Sequence, residues 1–221
     1  MELDIVSILL GQSHVGGGDG AAPGLVGVAG YIGTKELGEH STLDFTISGH
    51  SGMYAAVLCW TRGEVVAPAG ASVVYHAVRD LSGYSNHISL IKAKISSDNF
   101  TISISNPETV RSGAACFIVS GDFLVSELTK TNGMQATVTW PAGLSVFVAL
   151  SGTAMNVCGK WGSTLAPVAY MFPTDMADTR NSSARCLAGY INASASGSGL
   201  IGNYINDTAG LFVCLHLAGV E

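Results

Sequence analysis

The chain has 221 residues, of which 12% are charged and 48% hydrophobic, and its formal net charge at pH 7 is −6. Its ten lysines and arginines are scattered and form no basic surface that could follow a phosphate backbone, so we expect no nucleic-acid partner. No run reaches the roughly 18 uncharged apolar residues of a membrane span, so we expect no membrane insertion.

The apolar, charge-poor composition has two interpretations. A surface rich in Ser, Thr, Asn, Gly and Ala suits burial in contacts between subunits. The same composition also fits a β-sheet core surrounded by uncharged polar loops. Composition alone leaves both open.

Little regular structure is predicted in the first forty residues. We expect a short strand at 5–10 and then a glycine-rich arm over about residues 11–30. Residues 21–32 are predicted to be extended without regular pairing, and residues 34–40 to form at most one helical turn. The acidic beginning of the chain is unlike a secretory signal, which predicts synthesis and folding in a reducing cytoplasm.

Short stretches of alternating apolar and polar residues predict strands through the rest of the chain. The clearest stretch is 90–95, where Ile91, Ala93 and Ile95 alternate with two lysines. The first group of strands is predicted near 43–48, 52–60, 72–78, 87–95, 99–105 and 113–120. The second group is predicted near 135–140, 143–150, 166–171, 184–191, 199–205 and 210–218. Residues 122–133 are predicted to be the link between them.

Both groups end in the same kind of stretch. When Gly121 is placed over Gly219, Cys116 falls on Cys214, and each cysteine lies in a short apolar run bounded by small residues. Such a run is typical of a strand that is buried on both faces.

A second pair of apolar strands extends this similarity, with Gly52 over Gly143. We therefore predict an all-β fold, an internally duplicated antiparallel β-sandwich of the jelly-roll-like type. It is expected to be a single domain over residues 1–221, with pseudo-repeats at about 42–121 and 134–219.

The cysteines are predicted to be free thiols, because their number is odd and no close pair occurs. Their spacing with histidine also fits no zinc site. The five cysteines are Cys59, Cys116, Cys158, Cys186 and Cys214.

Two short motifs are considered as catalytic or nucleotide sites and set aside. The stretch from Gly49 to Gly52 lacks the fifth residue of a nucleophile elbow and precedes a predicted strand, so a hairpin turn is the better interpretation. Lys160 is followed by Trp161 and not by the Ser or Thr of a phosphate-binding loop. We expect no cofactor, no metal and no catalytic residue, and hence no enzymatic activity. A pair of carboxylates brought together by folding is the alternative that spacing leaves open.

Three residues are considered as contacts for a partner or a glycan. Tyr84, Asn86 and Trp161 are predicted to lie in loops, where aromatic side chains stack on sugar rings or anchor a protein partner. The alternative is that they cap one end of the sandwich.

Five segments occur in an order that resembles a known group of proteins. They are an apolar strand ending in Trp60-Thr-Arg-Gly63, the turn Pro68-Ala-Gly70, an alternating strand, the stretch 100–105, and the strand end at 114–122. This order is similar to that of jelly-roll-like virion proteins encoded by tailed bacteriophages and related gene transfer agents. The resemblance extends from about Ile5 to the end of the chain. Proteins of this group serve as head decorations, spike bases, or tail and fibre components.

The resemblance implies a location in the virion and partners that are other virion proteins and copies of the chain itself. Together with the composition, it predicts a non-enzymatic structural protein. The alternative is a carbohydrate-binding module of a spike or fibre that recognises a host surface polysaccharide. A polysaccharide-cleaving enzyme is a third class, which requires two carboxyl groups in one cleft.

Overall fold

The computed structural model describes residues 25–37, 42–61, 63–81, 84–105, 112–150, 169–171, 186–202 and 210–220. Within these ranges the regular structure is β-strand and no helix occurs. The first seven strands are β1 (Val28–Leu37), β2 (Thr42–Ser48), β3 (Tyr54–Thr61), β4 (Ala71–Leu81), β5 (Tyr84–Lys94), β6 (Asn99–Ser105) and β7 (Ser112–Val119). The next seven are β8 (Phe123–Asn132), β9 (Gln135–Trp140), β10 (Gly143–Leu150), β11 (Ala169–Met171), β12 (Cys186–Ala193), β13 (Gly197–Gly202) and β14 (Leu211–Gly219).

The strand order is the same in the two halves of the chain. In the first half, a five-stranded sheet has the order β1-β7-β3-β5-β4, and β2 pairs with β6. In the second half, the five-stranded sheet has the order β8-β14-β10-β12-β11, and β9 pairs with β13. Every pairing is antiparallel, and adding seven to a strand number in the first half gives its equivalent in the second. The predicted fold class, an internally duplicated antiparallel β-sandwich, is therefore confirmed.

Two strands lie where the sequence predicted irregular chain. Residues 123–132 form β8, the first strand of the second half, although 122–133 was predicted to be a link. Residues 28–37 form β1 and pair with β7, although an unpaired segment and a helical turn were predicted there. In strand order, the repeated units therefore span 28–119 and 123–219. The predicted arm at 11–30 lies outside the described residues up to position 24.

A bulge explains why both of these strands escaped prediction. The register of β1 against β7 shifts between Tyr31 and Gly33, and the register of β8 against β14 shifts between Glu127 and Thr129. The extra residue, Ile32 or Leu128, turns toward the core of its own half. A bulge breaks the strict alternation by which a strand is recognised.

The structure also corrects the predicted alignment of β3 with β10. Cys116 lies opposite Val57, and the equivalent Cys214 lies opposite Phe147. Val57 is therefore equivalent to Phe147, whereas placing Gly52 over Gly143 puts Val57 over Val148. A shift of one residue moves a side chain to the other face of its sheet, so the predicted alignment exchanged the two faces.

The sheets stack in four layers. The inward faces of the two five-stranded sheets pack on each other in a central core that includes Leu58, Leu90, Phe117, Val146 and Val213. All of these side chains have at most 1% of their surface exposed. The two halves are therefore joined through an apolar interior and not by the chain alone.

Each five-stranded sheet is covered on its outward face by the two-stranded sheet of the same half. In the first half, Val57 and Cys116 contact the layer that contains Phe45 and Ile102, which forms the first outer core. In the second half, the corresponding second outer core includes Phe147 and Cys214 of the five-stranded sheet and Val138 and Ile201 of β9 and β13. The middle strands are covered on both faces, which is why β3 and β10 are apolar almost throughout.

Candidate functional site

The structure describes the three predicted contact residues only in part. Tyr84 and Asn86 lie in β5 and not in a loop, so this part of the prediction was wrong. Asn86 is fully buried, and a glycan or partner at the surface has no access to its side chain. Trp161 and the side chain of Tyr84 lie outside the described residues, so a contact at either position stays a prediction.

The turn from Gly49 to Gly52 connects β2 to β3, as its residue types suggested. Gly49, His50 and Gly52 have positive φ values of 73°, 61° and 89°. His50 is the non-glycine residue with positive φ among those described, and this turn leads into a strand and not into a helix. The geometry is that of a tight connection, and a nucleophile elbow requires a following helix.

Two histidines on neighbouring strands form a pair on the outward face of the first five-stranded sheet. The Nε2 atom of His76 on β4 lies 3.0 Å from the Nδ1 atom of His87 on β5. The ring centroids are 5.2 Å apart and the ring planes differ by 22°. His76 is exposed and His87 is half-buried, so the pair is open to solvent.

Sequence spacing does not reveal this pair, because His76 and His87 are eleven residues apart and metal-ligand motifs have shorter spacings. The signal that was present is the Ser82-Gly83 dipeptide between two predicted strands, which is typical of a two-residue hairpin loop. Leu81 does pair with Tyr84 across it. This register places His76 opposite Ser89, two residues along β5 from His87, so that both imidazoles share one face.

The thiols that the structure describes are free and unreactive. Cys59, Cys116 and Cys214 are all buried and form no disulfide. Burial raises the pKa of Cys116 and of Cys214 to about 12, and it raises the pKa of Cys59 further. A thiol with so high a pKa is neither a nucleophile nor a metal ligand at neutral pH. Cys158 and the side chain of Cys186 lie outside the described residues.

Polar contacts at the boundary of the two halves surround Asp122, which lies between β7 and β8. Lys92 on β5 makes an ion pair with Asp122 at 2.8 Å and donates to the carbonyl of Phe123 at 2.9 Å. The ammonium also lies 5.1 Å from the Phe123 ring centroid and 5.7 Å from that of Tyr54. The hydrogen bond from Lys92 lowers the pKa of Asp122, and burial together with Asp122 raises the pKa of Tyr54. This arrangement fixes the connection between the halves.

Two more polar contacts cross the same boundary. The Tyr75 hydroxyl on β4 donates to the Glu127 carboxylate on β8. The Arg79 guanidinium on β4 donates to the carbonyl of Gly210, just before β14. Burial, and then the hydrogen bond to Glu127, raises the pKa of Tyr75. These residues connect the two sheets.

His216 on β14 is a polar residue in a mostly buried strand. The strand is apolar on both faces, but His216 itself is half-buried. Its Nδ1 atom lies 3.4 Å from the Oγ atom of Ser145 on β10. Burial lowers its pKa, so the imidazole is neutral at physiological pH.

A shallow depression lies at the connection between β12 and β13. Its lining consists of Trp140 and residues 192–197. The depression is open to solvent and has a volume of about 340 Å³. Trp140 is only 4% exposed because its indole packs over Gly197, so the depression offers hydroxyl and amide groups more than an aromatic platform.

Several strands have an unpaired edge in the part of the fold that the structure describes. They include the outer strands of the two five-stranded sheets, β1, β4, β8 and β11. Exposed large apolar side chains lie on three of them, with Tyr31 at 37%, Val73 at 39% and Leu124 at 66%. Unpaired strand edges offer rows of backbone donors and acceptors to a neighbouring chain.

Two classes of site are not seen in the described ranges. They contain no group of three or more His, Cys, Asp or Glu side chains placed to hold a metal ion. None of their elements is a helix of the length and apolar character that crossing a bilayer requires.

Comparison with known proteins gave no match. No family model, no curated protein and no solved structure is similar to this chain.

Proposed function

We propose that the chain is a non-enzymatic structural protein of a tailed-phage-like virion, either a head decoration or spike protein or a tail or fibre component. Its partners in this proposal are copies of itself and other virion proteins. The proposal rests on the sequence resemblance for the kind of particle. It rests on the architecture for the structural role.

The observation that carries the structural role is the back-to-back pairing of two sandwiches whose outer strands have an unpaired edge among the residues that the structure describes. The central core uses the inward face of each five-stranded sheet, and the two-stranded sheets cover the outward faces. Within the described ranges, the outer edges of the five-stranded sheets are thus available for contacts with neighbours. Identical copies that bury the same edge repeatedly form closed symmetric assemblies.

The segments that carry the resemblance have structural positions in the first half. The Trp60-Thr-Arg-Gly63 segment begins with the last two residues of β3, and Pro68-Ala-Gly70 directly precedes β4. The amide of Ala71 donates to the carbonyl of Pro68 at 3.1 Å, and Gly70 has a φ of 80°, so this segment is a turn. The segments that carry the resemblance therefore include a strand end and a turn of the first half.

The oligomeric state of the purified protein tests the proposed self-association. The untagged protein is expected to elute as an oligomer, a trimer or a ring, in size-exclusion chromatography with light scattering. A stable monomer at the concentrations used for assembly contradicts the proposal.

Assembly with the particle tests the virion role separately. Full-length protein is expected to sediment with particles, and a variant lacking residues 1–20 is expected to fold but to remain in the supernatant. A matched control is full-length protein carrying Asp44→Asn, which changes one exposed carboxylate on β2. A full-length protein that never co-purifies with other virion components contradicts the assignment.

A carbohydrate-binding module is the second candidate, favoured by the depression at Trp140. Asn192, Ser194 and Ser196 place an amide and hydroxyl groups around it, and such groups hydrogen-bond sugars. A glycan array distinguishes this candidate from the first. Saturable binding that is lost in Asn192→Ala or in Trp161→Ala favours it, and absence of binding by the wild-type protein contradicts it.

A further inference from the structure

The His76–His87 pair has the geometry of half a metal site. In proteins, imidazole nitrogens bind zinc at about 2.0–2.1 Å, so two imidazoles on one tetrahedral ion hold their nitrogens roughly 3.3 Å apart. The Nε2 atom of His76 and the Nδ1 atom of His87 are 3.0 Å apart. The two nitrogens therefore already lie within a few tenths of an ångström of the separation that chelation requires.

The ring arrangement shows how the ion would enter. With the ring planes 22° apart and the centroids at 5.2 Å, the two rings meet edge to edge and share one proton between their facing nitrogens. A metal ion takes the place of this hydrogen bond when the donor imidazole carries its proton on its other ring nitrogen and the rings rotate so that both lone pairs converge on the ion. His76 is exposed on β4, the outer strand of its sheet, and its side chain has room for this rotation.

The surroundings supply a polar base for the site. Ser89 lies opposite His76 in the β4–β5 ladder and therefore on the same face. Its hydroxyl is buried and has no hydrogen-bond partner in the described structure. Thr61 lies opposite His87 on β3, and its hydroxyl donates to the carbonyl of Gly63 at 2.5 Å. A hydroxyl without a partner beside the pair is suited to hold a water molecule bound to the ion.

We propose that His76 and His87 form a binding site for a divalent transition-metal ion, Zn²⁺ or Cu²⁺, whose other positions are open. Neutral imidazole is a preferred ligand of both ions. The ion is held by two side chains on adjacent antiparallel strands, and water completes the coordination in a single chain. Because β4 is an outer strand among the described residues, its edge is accessible to a second copy of the chain that could supply the remaining ligands. This site is independent of the virion assignment.

Isothermal titration of tag-free, metal-free protein with ZnCl₂ tests the proposal. Wild-type protein is expected to bind one ion per chain, or one ion per two chains if a second copy supplies ligands, and either stoichiometry supports the site. His76→Ala and His87→Ala are expected to weaken this binding by roughly tenfold or more, because loss of a direct ligand costs at least as much as loss of an outer-shell partner.

The matched control is His50→Asn, which removes an imidazole elsewhere and keeps a residue that tolerates the positive φ at that position. It is expected to bind zinc as the wild type does. Electron paramagnetic resonance with CuCl₂ gives an independent readout, with hyperfine splitting from imidazole nitrogens in the wild type that is lost in His76→Ala.

His76→Ala changes an exposed side chain and is expected to fold, which thermal melting checks, so it decides the question even if His87→Ala is unstable. Equal zinc binding by wild type and His76→Ala, or no zinc binding by the wild type, overturns the proposal.

Discussion

At the residue scale, each half of the protein packs a buried tryptophan tightly against a glycine on the neighbouring strand. Gly113 on β7 lies opposite Trp60 on β3, and a Cβ atom at Gly113 would lie 2.4–2.6 Å from three atoms of the indole. Gly197 on β13 stands in the same relation to Trp140 on β9, with contacts of 2.7–3.0 Å. In both halves, a glycine makes room for a buried indole, and no pattern of alternation reveals this.

We expect Gly113→Ala to lower the free energy of unfolding by about 1–3 kcal/mol, because the indole of Trp60 is rigid and fully buried and has no space to move. Urea denaturation measures the change. Gly30→Ala is the control, since a Cβ there would meet its nearest atoms at an ordinary 3.5 Å. Equal stability of Gly113→Ala and wild type would show that the contact with the indole is not tight.

At the element scale, the connection between β7 and β8 decides how the second half is placed against the first. Asp122 is the residue between these strands that pairs with Lys92, and the side chains of the pair are 40% and 19% exposed, respectively. Asp122 also accepts the amide of Phe123 at 2.8 Å. Phe123 is the first residue of β8 and belongs to the central core. The ion pair therefore fixes the chain where it enters the second half.

The lowered pKa of Asp122 gives this contact a defined pH dependence. The folded state binds the proton less well than the unfolded state, so the contribution of Asp122 to stability is complete above the ordinary aspartate pKa of about 3.9. It is lost as the pH falls through the lowered pKa of the folded state. We expect Asp122→Asn to be less stable than the wild type at pH 7, and the difference to shrink below about pH 4.

Urea unfolding at pH 7 and pH 3 measures this difference. Asp44→Asn, which changes an exposed carboxylate on β2, is the matched control. A gap between Asp122→Asn and the wild type that stays constant over this range would contradict the assigned role.

At the scale of the whole molecule, the two halves depend on each other because each supplies one wall of the central core. Leu90 and Phe117 of the first half belong to the same buried cluster as Val146 and Leu215 of the second half. A separated half would expose this apolar face to water, at a cost of about 25 cal/mol per Å². The protein is therefore expected to unfold as one unit although its chain is duplicated.

We expect the halves, divided between Gly121 and Asp122 and expressed as two chains, to aggregate singly and to form a one-to-one complex when co-expressed. Affinity purification through a tag on one half, followed by light scattering, measures the complex. Leu90→Asp in the central core is expected to abolish it, whereas Thr46→Asp on an exposed position of β2 is expected to leave it intact. Halves that are stable monomers without affinity for each other contradict the shared core.

The sequence by itself determined that the protein is all-β and duplicated, because alternation and buried apolar runs are local properties. The stretches near 43–48, 99–105 and 143–150 alternate or are apolar throughout, and each is a strand in the structure. The similarity of Cys116 to Cys214 also placed these residues on equivalent strands, β7 and β14.

Tertiary structure alone decided the register, the faces and the bulged strands. The bulged residues Ile32 and Leu128 pack against side chains of distant strands. The bulges interrupt the alternation in β1 and β8, so the local sequence does not identify these segments as strands. Asn86 was predicted to lie in a loop. It lies instead on β5, where its side chain points into the interior and is buried. The pair of His76 with His87 exists only when two strands align, since a strand's own sequence fixes the alternation of its side chains and not the partner beside it.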